Sequence, residues 1–251
     1  MKLIFPRTLK LLKDQYVCKS CGYNLIGYYP EFCPFCGASY VNFITAEECS
    51  QEYSIVSTKI NNKIDRLSSY PKLGLEHSAY CIKIKSKNFW IDSPSTFSKD
   101  LEPMDKILFT HHHFLGASNL YRAYYTTFIW IHKKDSEHPI ASEHPFDKKF
   151  EHDFSIEGIE AHIINGHTPG FTFYIFEDVL FICDYFFLKK EKLILNPYGP
   201  AHSTMKGLKK IKEILRNRNI KTVCGYNYVL DYNNWNKKLL ILDNDSNATK
   251  M

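Results

Sequence analysis

Two groups of side chains in this sequence are of the types, and at the spacings, that grip a metal ion. The first is Cys18-Lys19-Ser20-Cys21-Gly22 with Cys33-Pro34-Phe35-Cys36-Gly37. Each half is a C-x-x-C-Gly turn, whose glycine lets backbone N–H groups turn back toward the sulfurs and stabilise thiolate charge. Four thiolates on two such turns make a tetrahedral sulfur site, suited to zinc or to one iron. A module this short has little core of its own, so the ion is expected to hold it together. The second group is dispersed. Thr110-His111-His112-His113 follows the apolar run Ile107–Phe109, Gly166-His167-Thr168-Pro169-Gly170 is a tight turn presenting one imidazole, and Leu180–Cys183 is an apolar run ending in Asp184. On an extended turn His111 and His113 face one point and His112 turns away. Three imidazoles and a carboxylate on strand ends and loops are what a mononuclear zinc or iron site requires.

Those loops need strands to position them. From about Glu52 the texture is of short apolar runs between turns. They predict strands over 53–60, 78–85, 89–92, 106–110, 127–132, 159–164, 172–176, 179–183 and 222–224. Helices are expected over Leu115–Tyr125, directly after the histidine run, and over Thr204–Arg218, where Met205, Leu208, Ile211 and Leu215 recur at helical spacing. A short helix is expected near Thr45–Gln51. Strands outnumber helices, so the class is α+β.

The loops together resemble the metallo-β-lactamase superfamily. Its marker is T-H-x-H-x-D-H, then G-H-T-P-G, then a strand ending in Gly-Asp, then a late Gly-His. Thr110–His113, Gly166–Gly170 and Asp184 match in order over roughly residues 52–242, and Ile91-Asp92 fits the family's early strand ending in aspartate. The resemblance implies a four-layer αββα sandwich with the metal site at one edge. The cysteine pairs are similar to rubredoxin-like domains in their short form. Three segments follow: a basic arm and rubredoxin-like module over 1–44, the αββα domain over 45–243, and a flexible tail over 244–251.

The departures from the family pattern bear on the chemistry. Leu115 and Gly116 stand where the family has Asp-His. Val223-Cys224-Gly225-Tyr226-Asn227 stands where the late histidine would be, and Cys183 replaces the glycine before the aspartate. The second ion's ligands are therefore missing. The set that remains is His111, His113, His167 and Asp184. The family default is a metal-dependent hydrolase acting on an unknown small molecule, with His112 or Asp184 as the proton acceptor. A second outcome is a non-catalytic scaffold that docks through the cysteine module. A third is an iron oxygenase like the persulfide dioxygenases, using His111, His167 and Asp184 with a redox partner or centre at the module.

Composition narrows the rest. The chain has 251 residues, 44% hydrophobic and 15% aromatic, enough for a packed core. No apolar run is long enough for a membrane span, and the start does not read as a secretory signal, so a cytoplasmic protein is expected. Eight cysteines in such a chain suggest metal and burial rather than disulfides. The net charge of +5 is modest, and Lys2, Arg7, Lys10, Lys13 and Lys19 read as a solvated surface rather than a nucleic-acid site. His132, His138, His144 and His152 are expected on the surface, and His162 in a strand core. His77 and His202 flank turns from which either could approach the metal site.

Overall fold

The structure is a computed structural model that describes residues 12–248, with side chains to Leu242. Most of the expected basic arm, residues 1–11, lies outside the described residues. The chain divides into two compact units, one ending at Glu151 and the other beginning at His152. The cysteine module, read from sequence as separate over 1–44, falls within the first unit.

The first unit opens with a three-stranded antiparallel sheet of β1 (Gln15–Cys18), β2 (Asn24–Ile26) and β3 (Phe43–Thr45) in the order β2-β1-β3. Helix α1 (Ala46–Glu52) follows directly. Its start is fixed by a capping box: Thr45 accepts from the Glu48 N–H, and Glu48 accepts from the Thr45 N–H. A seven-stranded sheet comes next. It is built from β4 (Ser54–Lys59), β5 (Ile64–Tyr70), β6 (Ala79–Ile84), β7 (Lys87–Ile91), β8 (Lys106–Leu108), β9 (Phe128–His132) and β10 (Lys148–Phe150), in reversed chain order from β10 to β4. Strands β4 to β7 pair antiparallel, and β7 to β10 pair parallel. Helix α2 (Ser118–Tyr125) connects β8 to β9, and the single turn α3 (Lys133–Ser136) follows β9. The core gathers Leu67, Trp90, Ile107, Phe109, Leu115, Tyr121, Ile129 and Ile131.

In the second unit, β11 (Phe154–Ile156), β12 (Ile159–Ile163), β13 (Thr172–Phe176), β14 (Val179–Cys183), β17 (Thr222–Gly225) and β18 (Val229–Asp231) form a six-stranded sheet in that order. The hairpin β15 (Phe186–Lys189) and β16 (Lys192–Leu195), helix α4 (Ala201–Leu215) and the last helix α5 (Tyr232–Ala248) complete it. Every residue of β13 and β14 is buried, which is why those runs are apolar throughout rather than alternating. Phe173, Leu180, Ile182, Leu208, Ile211, Val223 and Trp235 form the core.

Strands β13 and β14 match their expected bounds. Helix α2 starts three residues later than expected, because Gly116 adopts φ +53 and turns the chain before Ser118. Strand β5, the β15–β16 hairpin and α5 were not expected. Helix α5 opens Tyr232-Asn233-Asn234 with polar residues that read as a turn, although Tyr232, Trp235, Leu239 and Leu242 recur at helical spacing and pack on the second unit's core. It also carries the backbone to Ala248, through much of the expected tail. No described helix is long and apolar enough to cross a membrane.

Candidate metal centres

In the knuckle, each cysteine pair sits on a closed turn. The Gly22 N–H donates to the Cys18 carbonyl at 2.7 Å and the Gly37 N–H to the Cys33 carbonyl at 2.8 Å. Both glycines have positive φ, +82 and +73, the conformation the turns require. The Tyr23 N–H reaches the Cys21 sulfur at 3.4 Å. The four sulfurs lie within 4.8 Å of one another. Cys18 Sγ and Cys36 Sγ are 3.8 Å apart, and so are Cys21 Sγ and Cys33 Sγ. Four sulfurs each about 2.3 Å from one ion stand about 3.8 Å apart on the edges of a tetrahedron, so the spacing fits zinc or iron. Hydrogen bonds from Cys21 and Cys33 hold the Cys18 thiol down to about 2, while the bond to Cys18 pushes Cys33 up to about 12. A cation would replace the shared protons and satisfy all four sulfurs.

The knuckle is pressed tightly onto the rest of its unit. A side chain at Gly74 would meet the Ser20 carbonyl oxygen at 2.4 Å, and one at Gly22 would meet Ser95 Oγ at 2.8 Å. Asn24 donates to the Ser95 carbonyl, and Tyr23 Oη to the Ile140 carbonyl.

The histidine loop leaves β8 in the parallel half of its sheet. Ligand-bearing loops are common at the carboxyl ends of parallel strands. Asp92 follows β7, His111–His113 follow β8, and Asp135 lies just past β9. Asp92 accepts from the Thr110 N–H at 2.9 Å and from the Thr110 hydroxyl at 3.0 Å, and Thr110 Oγ1 meets His111 Nδ1 at 2.9 Å. The hydroxyl gives its one proton to the carboxylate, so it accepts from His111 Nδ1–H. That fixes the tautomer and leaves the lone pair on Nε2. His112 takes a different course. Its Nδ1 meets the fully buried Asp135 carboxylate, and its ring stacks on His138 at 4.0 Å. The rings of His111 and His113 are 4.7 Å apart. His77 is buried and lies 6.1 Å from the His111 ring, whereas His202 is exposed.

The positions where the family pattern puts second-ion ligands are filled or closed. Leu115 is fully buried in the first unit's core. Any side chain at Gly116 would start 2.4 Å from the Pro94 carbonyl oxygen and 2.5 Å from that of Ser93. At the late position, a side chain at Gly225 would strike the Tyr228 ring at 2.3 Å, and the neighbouring Tyr226 packs on Phe187 at 5.0 Å.

In the second unit His167 and Asp184 stand side by side, with His167 Nε2 3.5 Å from Asp184 Oδ2. Two ligands about 2.0–2.1 Å from one ion are about 3.3 Å apart in a tetrahedron, so this pair fits. Asn196, just past β16, organises it. Its Nδ2 lies 2.9 Å from Asp184 Oδ2, 2.9 Å from the Asp184 carbonyl and 3.2 Å from His167 Nε2, while its Oδ1 accepts from the Tyr198 N–H at 2.9 Å. Gly199 lies against the other face, where a side chain would meet His167 Nδ1 at 2.8 Å.

Asp135 and Asn196 are the site residues that sequence reasoning missed. Asp135 sits in a charged stretch, Lys133-Lys134-Asp135, that reads as surface. Asn196 had a signal: Leu195-Asn196-Pro197-Tyr198-Gly199 is a turn ending an apolar run. His132 and His144, expected on the surface, are buried. His132 accepts from the Lys134 N–H as a helix cap, and His144 Nε2 lies 3.3 Å from the Asn24 carbonyl beneath the knuckle. His162 is partly exposed between Glu160 and Asp153 rather than in a core.

No family model matches the chain, and no curated protein matches it. Solved structures do. A metallo-β-lactamase from Pontibacter korlensis superposes with TM-score 0.62 at 17% identity, covering 76% of this chain and 100% of that one. The metallo-β-lactamase FIM-1 from Pseudomonas aeruginosa, in its mono-zinc form, gives 0.62 at 11% identity over 87% and 99%. A metallo-β-lactamase from Hirschia baltica gives 0.58 at 11% identity over 75% and 97%. At these identities the likeness establishes the fold, the α+β metallo-β-lactamase sandwich, here preceded by a cysteine knuckle.

Proposed function

On the premise of a metallo-β-lactamase fold, we propose that this chain is a hydrolase working with one ion, for which His111, His113, His167 and Asp184 are the ligands, with a second ion structural in the cysteine knuckle. The observation that carries the reading is the Asp92–Thr110–His111 chain of hydrogen bonds. It turns one nitrogen of His111 outward in a defined tautomer, which a histidine retained only for packing does not need. The Asn196 amide, 2.9 Å from Asp184 Oδ2, holds that carboxylate in place. FIM-1, described in a mono-zinc form, is a precedent for a single ion in this fold.

The donor set of three imidazoles and a carboxylate suits zinc or iron, and the ion supplies Lewis acidity toward a carbonyl or phosphoryl oxygen. The chain's own groups handle the proton. Asp135 takes the Nδ1 side of His112, which leaves Nε2 as the nitrogen available to accept a proton. Asp184 is the other carboxylate at hand. The substrate is a small molecule with a thioester, lactone or phosphodiester bond, in a cytoplasmic setting.

Plasma emission analysis of the purified chain should find two ions, falling to one in His111→Ala. Hydrolysis of a thioester, lactone and phosphodiester panel should vanish with the histidine-site ion. Activity untouched by His111→Ala rejects this site as its source. One ion in the knuckle and no activity would leave a non-catalytic scaffold. The contact between the knuckle's Phe35 and the His113 ring, 5.4 Å between centroids, favours one alternative, an iron oxygenase with a redox-capable centre beside its ligand loop. Iron at both centres and oxygen uptake with glutathione persulfide, lost in His167→Ala, would select it.

A further inference from the structure

We infer that the cysteine knuckle is a working wall of the histidine site: Phe35, fixed between two sulfur ligands, positions His113 for its ion, so that an ion in the knuckle raises the affinity of the histidine site. The inference rests on the one-ion reading above and gives the knuckle a role beyond holding itself together.

The first unit alone supplies the geometry. Phe35 lies between Cys33 and Cys36, on the turn closed by the Gly37 N–H. An ion bound to both sulfurs pins its backbone from either side. Behind it, the Phe35 ring stacks on Tyr23 at 5.6 Å and 8°. Tyr23 belongs to the other half of the knuckle, is buried, and is tied down by its hydroxyl to the Ile140 carbonyl at 2.8 Å. In front, Phe35 meets the His113 ring edge-to-face at 5.4 Å and 61°, and the Phe114 ring at 4.8 Å and 72°. Phe114 stacks on His77 at 3.3 Å, and His77 leads back to His111 at 6.1 Å. The rings of Phe35, His113, His111, His77 and Phe114 thus form a closed circuit, and the knuckle contributes one member.

Within this unit Thr110 fixes His111 and Asp135 fixes His112, both by hydrogen bonds. The rings of Phe35, His111 and His112 border the partly buried His113. Releasing Phe35 removes one of these walls and loosens the imidazole. The ion must then order that side chain again on binding, which weakens it. By linkage the effect is reciprocal: an ion on His113 tightens the knuckle.

The test uses the full chain, stripped and titrated with Co²⁺ against a competing chelator. Sulfur-to-cobalt absorption reports the knuckle, and the weaker ligand-field bands of nitrogen and oxygen ligands report the histidine site. Phe35→Ala should keep the sulfur bands while the histidine-site affinity falls about 10-fold or more, the usual effect of losing a ligand's outer support. Phe35→Tyr, which keeps the ring, should restore it. Equal histidine-site affinity in Phe35→Ala and the unmodified chain overturns the inference. If Phe35→Ala loses the sulfur bands as well, Phe35→Leu, which fills the space without a ring edge, decides the same comparison. An unmodified chain that binds cobalt only through sulfur refutes instead the one-ion reading on which the coupling depends.

Discussion

The cysteine knuckle and the histidine loop solve opposite problems. In the knuckle the candidate ligands are half of the small core: of its six buried residues, Cys18, Cys21 and Cys33 are candidate ligands, joined by Tyr23, Leu25 and Phe43. In the histidine loop the ligands ride on a sheet whose core runs from Trp90 through Ile107 and Phe109 to Leu115. An ion in the first would supply folding free energy, while an ion in the second would meet a scaffold that packing has largely built.

That contrast breaks most visibly on chelation or in Cys18→Ser. Structural zinc in small sulfur sites contributes about 10–16 kcal/mol, so amide-exchange protection over 15–45 should collapse, while β7 and β8 stay protected. Equal protection in both regions would remove the distinction. Next in size is Gly116→Ala. A left-handed backbone and a contact at 2.4 Å with the Pro94 carbonyl predict a loss of about 2–4 kcal/mol in urea unfolding. Gly116→His, nominally the family residue, should cost at least as much and recruit no further ion by plasma emission. Thr110→Val sharpens the comparison from the other side. It should lower histidine-site metal affinity about 10–100-fold while stability falls by about 1 kcal/mol, read by chelator competition and thermal melting.

Stability should also change with pH. Burial holds His144 down to about 4, from an ordinary 6.5. Above 6.5 both folded and unfolded chains are neutral there. Between 6.5 and 4 the unfolded chain binds a proton the folded one refuses, so stability drops as pH falls, by up to about 1.4 kcal/mol per unit. Glu76 acts in the reverse sense. Burial raises it, so its folded form keeps a proton that the unfolded chain releases above its ordinary 4.5, and that contribution declines as pH rises. Urea midpoints against pH in His144→Asn should show a shallower acid slope between 6.5 and 4, with the part that remains belonging to His132 and His138, which burial also holds down.

The candidate ligands were legible because they are the residue types that bind metal and lie in short motifs, and the fold followed from the motifs' order. Their supports were legible only where they adjoin a strand end, as Asp92 does. Asp135 and Asn196 lie 23 and 29 residues from the histidines they serve, and no local pattern links them. Phe35 looks like any apolar residue in a knuckle until its ring is seen against His113. His132 and His144 read as surface because their neighbours are polar, yet a cap and a backbone carbonyl make their burial affordable in hydrogen bonds.

Cys183 carries a different consequence. It sits at φ +47, a glycine's conformation, where β14 changes register against β17 immediately before Asp184. The corner keeps a shape that suits glycine although a cysteine stands there, because the sheet imposes the bend and the side chain merely tolerates it. Chains with this corner should therefore be sought by the course of the backbone ahead of that carboxylate, since a search keyed to the letters Gly-Asp would pass over them.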